Sequence, residues 1–414
     1  MDTGPADLLV RCLSGRNGTA LSGLVGQTST GDWNRAVEFA DREHVAPLVF
    51  KRLKQIDAQV GVPPAAWNRL RRAYFTSGDR NTRLYRELRA ALECLRGAGI
   101  RVMVLKGPFL GEAIYGDVAL RPMCDADLMV ERADLARASA VLLELGHPER
   151  PGPAAPSPVE PDGAEAKHVR PIVIQDLAIE LHWTIVAPDG PVKLEVAGLW
   201  DRARPTTTAG VEVLALSRED LLLHLCLHFC YQHGCVGLRH LCDVAETVHR
   251  LGSELDWVRV SGMAREWNAA RYVALALHLA RSVLTAEVPD DVLERLVRGG
   301  LDPGLIEQAR ECVLERESYD NWSLLPFPNR FGGSSTLERM KTLRDVIFLS
   351  RDEMALRYPM SRDSRLLWPY YVRRLVDLPR EYGRATLRQG LRLMRVRERD
   401  STQSLAKWLK SGKA

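Results

Sequence analysis

The chain has 414 residues, of which 46% are hydrophobic and 27% charged, a globular composition that excludes disordered and fibrous classes for the chain as a whole. No run of about 18 uninterrupted apolar residues occurs, which argues against a transmembrane helix; the opening MDTGPADLLV carries an early acid and no sustained apolar segment behind a basic flank, which argues against a secretory signal. The net charge of +4 is uneven: from Tyr371 onward twelve Lys and Arg face four Asp and Glu, an excess of eight, so the preceding part is about four charges acidic.

In chain order, the first hundred residues read as helices. GDWNRAVEFADREHVAPLVFKRLKQI and NTRLYRELRAALECLRGAG space their apolar residues three and four apart, and the second stops at Gly97 and Gly99. The period then changes. IRVMVLKG (100–107) is a short β-branched run, PFLGEAIYG a short helix with Pro108 suited to its first turn, and DADLMV (125–130) a second strand. RADLARASAVLLELG is an amphipathic helix ending at Gly146. The Pro-, Gly- and Ala-rich stretch that follows reads as a mobile linker. HVRPIVIQ and LAIELHWTI are then two strands joined tightly around Asp176, a hairpin. From Ser217 the pattern is helical again. Ser217 with Asp220 forms a capping arrangement, and SREDLLLHLCLHFCYQHG is apolar nearly all round, as a central buried helix would be. The eight cysteines follow no framework or CxxC spacing and sit mostly in apolar helical patterns, as reduced core thiols of a cytoplasmic protein would. The expected organisation is a helical region over 1–95, a mixed-sheet core over 96–210 holding the linker at 148–166, and a helical region with a basic tail over 211–414.

The chemistry concentrates on three acids. Asp125 and Asp127 are one residue apart, so a strand aims both at one side. Glu180, flanked by Ile179 and Leu181, joins them if its strand lies alongside. Three crowded carboxylates repel unless a cation holds them, and an all-oxygen ligand set with room for phosphate oxygens describes Mg²⁺ or Mn²⁺. Such a site suits phosphoryl or nucleotidyl transfer. Arg121, four residues before Asp125, either clamps donor phosphates through its planar fork or braces the carboxylates by a salt bridge. Lys106, at a strand-to-helix turn, is a candidate phosphate ligand. His182 shares a strand face with Glu180 and could orient that carboxylate or relay a proton.

These residues carry a resemblance. The segments VLKGPFLGEAIYGDVALRPMCDADLMV, IELHW and LLHLCLHFCYQHGCVGLRHLCDVAETV, spanning roughly residues 100–250, resemble the DNA-polymerase-β-like nucleotidyltransferase superfamily. More narrowly, they are similar to its bacterial branch of uncharacterised nucleotidyltransferases, some encoded in natural-product gene clusters. The resemblance implies an α/β (α+β) fold, a small mixed sheet flanked by helical regions on both sides. It also implies catalytic, metal-holding Asp125, Asp127 and Glu180, a divalent cation, and an NTP, ATP among the candidates, as donor. The superfamily's usual Gly-Ser or Gly-Gly is here Gly107-Pro108; the narrower branch carries Lys-Gly at this point, and the resemblance implies Lys106 as a phosphate contact.

His224 and His228, four apart on one helix face, lack the intervening acid of a zinc-protease motif. They read as hydrogen-bonded groups of a buried helix or, following the resemblance, as groups contacting substrate. In the tail, Arg384, Arg388 and Arg392 recur at four-residue steps opposite Leu387, Leu391 and Met394. That pattern is a solvated face, or a surface for RNA or an anionic membrane. The expected reaction is transfer of a nucleoside monophosphate to a small molecule, peptide or RNA with release of pyrophosphate. The alternatives are a catalytically idle nucleotide- or partner-binding relative and a tRNA-modifying, toxin-like enzyme of the same fold.

Overall fold

In the computed structural model, the structure describes residues 5–14, 25–56, 61–146, 171–188, 190–314, 405 and 408. The basic tail segment expected around residues 384–392 and the 148–166 linker lie outside the described residues. The N-terminal helices are α1 (Pro5–Ser14), α2 (Thr30–Arg42), α3 (Ala46–Gln55) and the long α4 (Pro64–Gly97). Ser29 caps α2, its hydroxyl accepting from the Asp32 amide. On α4 the residues Leu84, Leu88, Leu92 and Leu95 recur at three- and four-residue steps and are fully buried, so propensity and core packing select the same face.

The sheet begins with β1 (Met103–Val104). Helix α5 (Lys106–Phe109) runs into a π-turn over Leu110–Ile114, and β2 (Asp125–Met129) follows. After α6 (Leu135–Gly146) come β3 (Ile172–Ile174), β4 (Leu177–His182), α7 (Val196–Asp201), β5 (Arg204–Thr208) and β6 (Val211–Ala215). The six strands lie in the order β3-β4-β2-β1-β6-β5. The β2/β4 and β1/β6 pairs are parallel, and β1/β2, β3/β4 and β5/β6 antiparallel. The fold is thus a mixed α/β one, with helices preceding and following the strands in sequence.

The expected hairpin is present, turning at Gln175 and Asp176 between β3 and β4. The β5–β6 hairpin is an element that the sequence reading passed over. Its signal is RPTTTAGVEVLA, two β-branched runs around Ala209-Gly210, both at positive φ, as a two-residue turn matched to strand twist requires. Through β6, residues up to Ala215 join the sheet beside β1.

The C-terminal helices are α8 (Arg218–Cys226), continued by a π-turn at Leu227–Gln232, then α9 (Leu238–Leu251), α10 (Trp257–Glu266), α11 (Ala270–Leu284), α12 (Asp290–Leu296) and α13 (Pro303–Leu314). Ser217 caps α8 as its sequence predicts. Every residue from Asp220 to Cys226 is buried, so α8 is the central helix its all-round apolarity implies. The one buried acid in that run, Asp220, is held by both ends of the Arg202 guanidinium at 2.9 Å and by Ser217 Oγ at 2.7 Å. Among the described residues, no helix is long and apolar enough to cross a membrane.

Candidate active site

Core packing sets the register of the acid-bearing strands. Ala126 and Leu128 on β2, with Ile179 and Leu181 on β4, are wholly buried, and their pairing, Ala126 to Ile179 and Leu128 to Leu181, fixes which residues lie opposite on the other face. That face pairs Asp127 with Glu180, and Asp125 precedes Asp127 by one pleat. A slip of one residue would drive the acids into the core, so the apolar half of each strand dictates the placement of the polar half.

Like charges on adjacent strands, about 5 Å apart, repel by about 3 kcal/mol at an effective dielectric near 20. The structure answers with Lys106. Its Nζ stands 2.8 Å from Asp127 Oδ1, and its backbone lies at φ +36°, a left-handed value a lysine rarely takes outside a constrained site. The same carboxylate oxygen accepts from His182 Nε2 at 2.7 Å, and that nitrogen is also 3.5 Å from Glu180 Oε2. Burial opposes ionisation of Asp127, but Lys106 and His182 outweigh it and hold the carboxyl well below the usual range. Burial likewise opposes the Lys106 charge, and Asp127, with Asp125 and Glu180 beyond it, outweighs that and raises the lysine. Asp125 goes the other way: burial, then the charges of Asp127 and Glu180, raise its pKa despite Lys106 and Arg239.

Three carboxylates against one lysine leave two negative charges uncompensated. Oxygen atoms carrying that charge fit a hard divalent cation, whose binding would favour the ionised form of Asp125 against the burial that raises its pKa. One atom each from Asp127, Glu180 and His182 already lie within 4.8 Å of one another. Asp125 falls outside that group because it sits opposite Ala178, two residues back along the strand.

Arg121 is placed differently. Its Nε and Nη2 bind Asp243 on α9 at 3.0 and 2.9 Å, both side chains buried. Its counter-ion is therefore not one of the strand acids. Burial works against the arginine's charge, but Asp243 prevails and raises its pKa. The remaining nitrogen, Nη1, lies 3.0 Å from where a side chain on Gly107 would begin, a close approach that favours glycine at 107. Asn81 on α4 holds the loop before β2, donating to the carbonyls of Val118 and Arg121 at 2.6 and 2.9 Å. Tyr85, from the same helix, donates to the Pro108 carbonyl at 2.5 Å.

Asp243 is the residue the sequence reading missed. It anchors Arg121 and also accepts from Tyr115 Oη at 2.9 Å. Its signal, an acid inside the apolar run LCDVA, was legible but its partner was not. His224 and His228 are buried on α8 and the π-turn, their rings 6.2 Å apart. Among the described residues, neither belongs to the acid cluster of Asp127, Glu180 and His182.

A family model described as uncharacterised nucleotidyltransferase matches residues 29–285. Among solved structures, the chain is similar to the solution structure of the antibiotic-resistance factor ANT(2'')-Ia. The two are 15% identical over 48% of this chain and 97% of that one, with a TM-score of 0.32. No curated protein matches.

Proposed function

The chain belongs to the uncharacterised nucleotidyltransferase family, and from that premise we propose that it moves a nucleoside monophosphate from an NTP to an acceptor hydroxyl, releasing pyrophosphate, at the face shared by β2 and β4. The observation that carries this reading is the register of Asp127 opposite Glu180, with Asp125 one pleat earlier on the same side. Asp125, Asp127 and Glu180 would hold divalent Mg²⁺ or Mn²⁺, which when bound supplies charge neutralisation to the triphosphate and acidifies the acceptor hydroxyl.

The chain's own groups divide the remaining work. Lys106, whose Nζ stands 2.8 Å from Asp127 Oδ1, would meet the triphosphate beside the acids. Arg121 offers Nη1 over Gly107 while Asp243 fixes the rest of its guanidinium. Glu180, with its side chain 26% exposed against 7% for Asp127, is the carboxylate open to the acceptor and takes its proton. The acceptor oxygen then forms a bond to the α-phosphorus as the bond to the β-phosphate oxygen breaks, and pyrophosphate carries away the electron pair. His182 keeps Asp127 Oδ1 in place throughout, a positioning role.

The test is incubation with each α-labelled NTP, Mg²⁺ and a panel of small-molecule, peptide and tRNA acceptors, comparing wild type with Asp127→Asn. Label transfer by the wild type and its loss by at least about a thousandfold in the variant is expected. Transfer that survives the substitution unchanged would reject the assignment. A wild type that binds NTP yet transfers nothing to any acceptor would favour an idle relative.

A further inference from the structure

Beyond the acid site, three histidines converge at the start of α9. His228 lies in the π-turn, His233 closes it, and His240 stands in the first turn of α9. Their ring centroids are 4.3 Å (His228 to His233), 4.8 Å (His228 to His240) and 4.2 Å (His233 to His240) apart. One ring nitrogen from each lies within 4.8 Å of the other two.

The convergence has a backbone cause. Positions five apart on an α-helix face directions about 140° different. Here the His233 amide donates to the His228 carbonyl at 3.1 Å, an i to i+5 bond that inserts one residue into the turn and brings both rings to one side. Such π-turns are costly and concentrate at functional sites.

We propose that His228, His233 and His240 form a binding site for a zinc-class transition-metal ion, distinct from the oxygen-lined site at Asp127 and leaving a fourth coordination position open. Three imidazoles are the ligand set of open zinc sites, where the nitrogens stand about 3.4 Å apart.

Two further features fit. Gln232 Nε2 donates to the Ile185 carbonyl at 2.8 Å, which aims its Oε1 at His228 Nδ1, 2.9 Å away. An amide oxygen only accepts, so His228 Nδ1 carries the hydrogen and Nε2 keeps the lone pair, the usual way an outer partner sets a metal-ligating tautomer. His240 Nδ1 is buried without a hydrogen-bond partner among the described residues, an arrangement that calls for an unaccounted partner. Burial, then His233, Arg239, Arg121 and Lys106, hold the His240 ring in its neutral, ligating form. Of those cations, Arg121 and Lys106 are matched by Asp243 and Asp127, which limits their repulsion of a metal. The partly exposed His233 gives the cluster its path to solvent.

The proposal is tested on the full chain, stripped of metal and titrated with Co²⁺, whose ligand-field bands report tetrahedral nitrogen ligation. Wild type and Asp127→Asn should show the same tetrahedral bands, saturating at one equivalent, whatever further Co²⁺ the acids of the wild type take up without those bands. His240→Ala and His233→Ala should each lose the bands and bind at least tenfold more weakly; Gln232→Ala should weaken binding about 10–100-fold. His233 is partly exposed, so its variant keeps the test available if His240→Ala fails to fold. Metal uptake that disappears in Asp127→Asn, or persists unchanged in both histidine variants, overturns the proposal. Nucleotidyl transfer lost in Asp127→Asn while the bands remain separates this site from the acid site, so either reading can fail alone.

Discussion

Asp243→Ala isolates the buried pair that ties the loop before β2 to α9. Arg121 and Asp243 have side chains only 7% and 1% exposed and are joined by two parallel hydrogen bonds. Deleting the carboxylate strands a guanidinium in low dielectric, at a cost of about 3–5 kcal/mol. For a unit of this size each kcal/mol is worth roughly 2 °C, so Tm should fall by about 6–10 °C. The reverse case is the diagnostic one. In Arg121→Met/Asp243→Leu neither charge of this pair remains, so stability should return except for about 1 kcal/mol, the cost of the Tyr115 hydroxyl losing its acceptor. Scanning calorimetry on wild type, the single variant and the double variant measures both numbers. NTP affinity, read on the same proteins, should stay low in the double variant because Nη1 is gone. A single variant within about 1 °C of wild type, or a double variant no better than the single, would refute the reasoning about this pair.

Lys106→Met removes the cation that keeps Asp127 ionised. The carboxyl pKa should rise, and the acidic limb of kcat/KM against pH should move to higher pH. The stability linkage has a definite sign. Asp127 is depressed in the folded state, so its contribution is full above the ordinary aspartate value near 3.9 and drains as pH falls through its lower folded value. Acid unfolding of Lys106→Met should accordingly be less steep below about pH 4, which pH-dependent melting checks. Gly107→Ala brings a methyl to 3.0 Å from Arg121 Nη1, and with the guanidinium tethered to Asp243 it should cost about 1 kcal/mol and raise the KM for NTP severalfold. Chelation with EDTA should abolish transfer, and Mg²⁺ or Mn²⁺ should restore it; full turnover in chelator would mean that the acids are not ligands.

Much of this was legible in the chain because it rests on short-range periodicity. Alternation by two put Asp125 and Asp127 on one strand face, and the same rule placed Glu180 with His182. The helical stretches followed from three- and four-residue spacing, and the capping of α8 from Ser217. The β5–β6 hairpin was also legible in principle, but its threonines and Ala-Gly turn carry no apolar alternation to announce them. Other features were not readable at all. The sequence alone left two roles open for Arg121, because its counter-ion Asp243 lies 122 residues away and only the docking of α9 against the β2 loop brings them together. The histidines show the same limit at closer range. Helical spacing singled out His224 and His228, whereas the π-turn rotates His228 toward His233, and α9 delivers His240 to both. Local pattern fixes which side of its own element a residue occupies, since that depends on backbone geometry over a few residues. Which elements then meet, and so which charge is neutralised by which partner, depends on burying apolar faces far apart along the chain, and that was decided only by the folded structure.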